Sequence, residues 1–196
     1  MSHKHLISLL LIFSAGLLPA QNLDFRILKS INQYEYPKWD QAMRLTSESV
    51  NYSWSLVIIA PGVQGLVNKD AVMLRNSAKS AISIGLAGLI SSSLKLSIKR
   101  PRPAVQYPND IIARDEAGPY SFPSGHTTFA FASATALSLT YPKWYVVLPS
   151  YLYAGLVGYS RMRLGMHFPS DVLAGMVIGI GSGLLTWKLD KALYGK

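Results

Sequence analysis

The sequence contains no cysteine. Disulfide bonds, thiolate metal sites and a cysteine nucleophile are therefore excluded. Charge is also scarce: Asp, Glu, Lys and Arg make up 15% of the 196 residues, where a soluble domain carries about a quarter. Acidic residues are the rarer sign, ten against nineteen Lys and Arg, and Asp115-Glu116 is the only adjacent acidic pair. Few clusters remain that could hold a metal through carboxylates, so neither a metal nor another cofactor is expected. Basic blocks interleaved with aromatics are missing as well, which argues against nucleic acid as a partner. No internal repeat, low-complexity tract or long charge run is present. Nothing in the sequence specifies an oligomeric state.

Apolar residues make up 49% of the chain, and the mean hydropathy is +0.22. The composition leans toward the membrane class, and the length suits one domain. The net charge of +9 points to an anionic lipid surface or a phosphorylated substrate. At the amino terminus, Lys4 precedes an apolar core from Leu6 to Leu18, followed by Pro19-Ala20. This is the layout of an export signal, or of an uncleaved first transmembrane helix. Residues 1–20 are assigned to that element and 21–196 to a single domain, with Gln21 onward outside the cytoplasm.

Apolar segments rich in small residues follow at about 54–67, 79–98, 127–141, 144–159 and 172–187. Each is short to adequate for a bilayer span. Ser, Thr and Gly within them permit close helix approach in a membrane, and equally suit a tightly packed soluble bundle. Lys69, Arg75 and Lys79, then Lys143, then Lys188, Lys191 and Lys196 sit where an external start makes the turns cytoplasmic, as the positive-inside tendency prefers. The loops 99–125 and 160–170 then face outward. The segment 100–122, with four prolines, is long for a connection in a compact domain and reads as functional.

Those outer loops carry or adjoin three motifs: Lys95-x6-Arg102-Pro103, Pro123-Ser124-Gly125-His126, and Ser160-Arg161-x5-His167-x3-Asp171. His167 and Asp171 lie four apart, on one face of a helical turn. A carboxylate there accepts the imidazole Nδ1 proton and leaves the other nitrogen free to attack. Arg161 offers a fork for two phosphate oxygens. Ser124 suits a helix N-cap, Gly125 allows close backbone approach, and such a helix start favours anions. His126 is placed to protonate a leaving oxygen. Lys95, Arg102 and Arg161 together would neutralise a phosphoryl group in its transition state without a metal.

The segments SFPSGHTTFAFASA and SRMRLGMHFPSDVLAG, with KRPRP closing the first motif, closely resemble the type 2 phosphatidic acid phosphatase superfamily. That group includes bacterial non-specific acid phosphatases and vanadium haloperoxidases. The resemblance covers about residues 54–190, and every signature position holds the expected residue. It implies an all-α, membrane-embedded bundle of five or six transmembrane helices with the site near the outer membrane–water boundary. It implies His167 as a nucleophile forming a phosphohistidine, Asp171 supporting it and His126 as general acid. Lys95, Arg102, Ser124, Gly125 and Arg161 become phosphate ligands. The expected substrate is an exported or outer-leaflet lipid phosphate or pyrophosphate, such as undecaprenyl pyrophosphate, phosphatidylglycerol phosphate, phosphatidic acid or lipid A phosphate. The alternatives are a soluble periplasmic acid phosphatase, a vanadium haloperoxidase and a non-catalytic lipid-binding protein.

Overall fold

Each of the five apolar segments forms a helix. The computed structural model describes residues 23–195, so the segment 1–20 lies outside it. Its helices are α1 (23–32), α2 (Pro37–Glu48), α3 (Val50–Asn68), α4 (Ala71–Ile98), α5 (Pro103–Gln106), α6 (Gly125–Thr140), α7 (Trp144–Arg163) and α8 (Pro169–Tyr194). Among the described residues the only β feature is one bridge between Pro101 and Tyr120. The fold is all-α, as expected.

Helix starts follow local chemistry. Asp70 caps α4 by accepting from the Val72 and Met73 amides. Ser124 caps α6 as predicted. Pro169 opens α8, where its missing N–H costs nothing. One boundary differs from the sequence reading: α4 begins at Ala71, eight residues before the apolar run. Arg75 and Lys79 interrupt the hydropathy there but pair with Asp190 on α8.

The core is built around α6, which packs against α3, α4, α7 and α8. Its central residues Ala130 to Ala136 are all buried. Two of its hydroxyls are satisfied within the helix: Thr128 and Thr135 donate to the carbonyls of Ser124 and Phe131. Facing it, Gly175 and Gly179 let α8 lie against the α6 backbone. A Cβ at Gly179 would meet the Thr128 carbonyl oxygen at 2.5 Å and the Ala132 nitrogen at 2.7 Å.

The outer helices present apolar residues to their surroundings: Leu56, Ile59 and Val63 on α3, Ile82, Leu89 and Leu96 on α4, Leu173, Val177 and Leu184 on α8. Exposed apolar faces on this scale suit lipid rather than water. Among the described residues, three stretches are long and apolar enough to cross a membrane on their own: Pro37–Asn68, Ala71–Ile98 and Pro169–Tyr194. The remaining two long helices differ in composition. α6 is sixteen residues long and rich in Ser and Thr, and α7 ends in Arg161 and Arg163.

Candidate active site

The C-terminal end of α4, the N-terminal end of α6 and the α7–α8 turn meet at one end of the bundle. The long connection 99–124 closes over them. Ser121 donates its amide to the Arg100 carbonyl, and Arg114 to the Leu164 carbonyl, so this connection is fastened at both its base and its middle. The Ser124 amide donates to the Asp171 carbonyl, tying the starts of α6 and α8 together. Gly165 is required in the turn. Its φ is +73°, and a Cβ would lie 2.3 Å from the Ile112 carbonyl oxygen.

These contacts bring six of the eight predicted residues to one cavity of about 550 Å³: Lys95, Arg102, Gly125, His126, Arg161 and His167. Val50, Gly88, Leu96 and Phe129 form its apolar side. Ser124 and Asp171 are fully buried behind it. The Ser124 hydroxyl serves the helix start, 2.9 Å from Thr127 Oγ1.

His167 is 2% exposed. Arg102 Nη1 lies 3.4 Å from its Nε2. A guanidinium can only donate, so Nε2 is the acceptor and the ring proton sits on Nδ1. Nδ1 faces Asp171, but Oδ2 is 3.6 Å away, longer than a hydrogen bond. The predicted Nδ1 hydrogen bond is therefore replaced by a looser contact between the Asp171 carboxylate and the polar N–H edge of a neutral ring. The reason is competition: Asp171 Oδ2 accepts the Phe168 amide at 2.9 Å and Oδ1 accepts from Arg100 Nη1 at 2.7 Å. Burial pushes the His167 pKa down to about 3, against the pull of Asp171, so the ring is neutral at physiological pH.

The cations are held from the covering loop. Lys95 Nζ donates to the Tyr120 carbonyl at 3.1 Å. Arg102 donates to the carbonyls of Gly118 and Met166. Burial and the charge of Arg161 lower the Arg102 pKa to about 10, which leaves it protonated at neutral pH. Arg161 is 1% exposed. Its Nη1 donates to Asp115 Oδ2 at 2.8 Å and to Ser47 Oγ, while its Nε has no partner among the described residues. A buried guanidinium N–H without an acceptor is costly, and an entering anionic oxygen would relieve it. The site as a whole presents a neutral imidazole nitrogen, a second histidine, a helix N-terminus and three cations. That arrangement can bind a tetrahedral oxyanion and attack it.

Residues 77–194 match the PAP2 superfamily. The chain belongs to the PAP2 superfamily. Undecaprenyl-diphosphatase BcrC of Bacillus subtilis is 28% identical over 174 residues, 87% of this chain and 86% of that protein. An undecaprenyl-diphosphatase of Sulfolobus acidocaldarius is 41% identical over 71 residues, 36% of this chain and 34% of that protein. The match thus spans only about a third of the archaeal relative. A crystal structure of a transmembrane PAP2-type phosphatidylglycerolphosphate phosphatase from Bacillus subtilis superposes with a TM-score of 0.75 at 26% identity. It covers 97% of this chain and 96% of that one. With its lipid-suited helices, this PAP2 chain is a membrane protein.

Four residues escaped the sequence reading of this PAP2 site. Asp24 and Ser47 lie ahead of the five apolar segments and of all three motifs. Asp115 was noted only as half of an acidic pair. Arg100 entered only as part of the KRPRP segment; it pairs with Asp24 and Asp171, and Arg114 and Arg163 both pair with Asp40. Tyr107 packs on Phe25 and Phe168, and Tyr120 lines the cavity. No local pattern signals pairs separated by more than seventy residues.

Proposed function

We propose that this protein is a phosphatase for lipid phosphates or pyrophosphates, acting through a phosphohistidine on His167. The observation that carries this reading is the approach of His167 Nε2 and three cations to one cavity with an apolar side. Burial and the charge of Arg161 push the His126 pKa down to about 4. The negative charge of a bound phosphate opposes that shift and lets the ring take up a proton. Nε2 of His167 then attacks phosphorus as the ester oxygen departs, and protonated His126 supplies the proton to that oxygen. Lys95, Arg102, Arg161 and the Gly125 end of α6 hold the phosphoryl oxygens. Ser124 holds that helix end. Water then attacks the phosphohistidine, His126 takes the water proton, and inorganic phosphate leaves. The names of the relatives support the substrate class, and the apolar side of the cavity suits the first carbons of a lipid chain. Undecaprenyl pyrophosphate, phosphatidylglycerol phosphate, phosphatidic acid and lipid A phosphate are the candidates. The deciding experiment is phosphate release from this panel by purified protein in detergent. Release from at least one lipid, surviving excess chelator and falling with vanadate, is expected. Loss on chelation with recovery on adding Mg²⁺ would overturn the cation-only mechanism.

We further propose that residues 21–196 form one catalytic domain whose site faces outward. The export-type start and the basic turns at the opposite end support this. Because the chain has no cysteine, single cysteines at Asn109 and Gly195 report topology cleanly. An impermeant thiol reagent should label the first and spare the second in cells with a permeable outer envelope. The reverse pattern would place the site inside.

A further inference from the structure

Asp171 faces His167, but it also has a second neighbour of opposite sign. Arg100, in the connection between α4 and α5, donates Nη1 to Asp171 Oδ1 at 2.7 Å and to Ser170 Oγ at 2.7 Å. Its guanidinium lies 3.9 Å from the Phe168 ring centroid. One side chain thus grips three residues that follow His167 in the turn. Taken alone, the arrangement has a drawback. A cation bonded directly to Asp171 offsets the negative charge that should favour a developing imidazolium on His167.

Asp24 removes that drawback. It comes from α1, and its Oδ2 accepts from Arg100 Nη2 at 2.8 Å. Its Oδ1 accepts the Ser170 amide at 2.8 Å. Asp24 is buried against this end of the bundle. The three charges Asp24, Arg100 and Asp171 sum to one negative charge beside a neutral ring. Leu28, also on α1, packs with Phe168 in the same cluster and fixes the helix there.

We propose that Arg100 and Asp24 are positioning residues for the reaction. Arg100 holds Asp171 and Phe168 in place around His167, and Asp24 balances Arg100 so that the charge of Asp171 serves the imidazole. Helix α1, which lies outside the three signature motifs, becomes part of the catalytic apparatus. This inference rests on the reading of His167 as nucleophile.

The test is a mutant cycle on the full chain in detergent, with the lipid phosphate that the wild type hydrolyses. R100Q should lower kcat about ten- to a hundredfold and D24N about tenfold, with KM within about twofold of wild type. On a D171N background the same changes should cost less than about twofold, because the function they serve is already lost. Guanidinium ion added to R100A should restore part of kcat and leave D171N unaffected. A merely structural role gives another pattern: equal losses on both backgrounds, lowered thermal midpoints and no rescue. That pattern, or a D24N enzyme with unchanged kcat, overturns the proposal. Should R100Q fail to fold, the near-isosteric D24N and its double variant with D171N decide alone. H167A in the same assay separates the two readings. Residual turnover there refutes the nucleophile, whereas a dead H167A with equal losses on both backgrounds refutes only the positioning role.

Discussion

The two ends of this bundle both carry Arg–Asp pairs, and they treat them differently. At the site end, Arg161 and Arg163 are buried, and so are Asp24, Asp40 and Asp171. At the other end Arg75 pairs with Asp190 while 44% exposed, and it also lies over the Tyr194 ring. Arg75 and Lys95 are twenty residues apart on α4, so about 30 Å separates the two environments. Withdrawing charges from water costs several kcal/mol per ion even when they pair. A chain with ten acidic residues still commits Asp24, Asp40, Asp115 and Asp171 to that end. Stability alone does not account for that investment. Orienting the proposed nucleophile and its oxyanion clamp would.

The comparison breaks most sharply at His167. H167A should lower phosphate release at least about a thousandfold while the helical circular dichroism stays unchanged, since the proposed mechanism forms its phosphoryl intermediate on that ring nitrogen. Turnover above a few per cent of wild type would move the chemistry elsewhere. D171N should cost about a hundred- to a thousandfold, less than a triad carboxylate held at true hydrogen-bond distance, because 3.6 Å separates the groups. A loss equal to that of H167A would mean that the pair closes to a hydrogen bond on substrate binding.

How much of this was legible beforehand depends on range. His167 with Asp171, and Ser124 before its helix, were readable because spacing of three or four residues is set by helix geometry alone. The five apolar runs marked the helices for another reason, their length being short to adequate for a bilayer span. The Arg100–Asp24 and Arg163–Asp40 pairs were not readable, because their partners are chosen by where α1, α2 and the loop 99–124 settle. The 3.6 Å gap was hidden too. It arises because the start of α8 takes Asp171 as its own cap, a demand visible only once Phe168 is in place.

The packing between the ends can be probed at Gly179. G179A pushes a methyl group against the α6 backbone, where no flexible side chain can yield. A loss of about 1–3 kcal/mol in unfolding free energy is expected. Unchanged stability in a denaturant titration would mean that α6 and α8 stand farther apart than described.

His167 also ties stability to pH. Its pKa is about 3 when folded and about 6.5 when unfolded. Between those values the unfolded chain binds the extra proton, so this contribution weakens as pH falls below 6.5 and is constant above it. At pH 5 the difference is on the order of 2 kcal/mol. H167N should therefore show a flatter fall in thermal midpoint between pH 6.5 and pH 5 than wild type. Parallel curves would assign the acid sensitivity to other groups.

The smallest effect is expected at the far end. Asp190 Oδ1 accepts from Arg75 at 2.8 Å, and Lys79 Nζ lies 3.5 Å from Oδ2 while resting over the Trp187 ring. Arg75 is 44% exposed, so solvent screens its part of the interaction; Lys79, 13% exposed, stands off at 3.5 Å, and both cations keep an aromatic neighbour when the carboxylate goes. D190N should cost no more than about 1 kcal/mol and leave kcat and KM at wild-type values. Set beside D24N, it replaces one carboxylate by one amide at opposite ends of the same bundle. If D190N slows turnover as D24N does, burial does not mark function here, and the contrast between the ends fails. If only D24N does, the same chemical change matters where the pair is enclosed with the nucleophile and is silent where water reaches it.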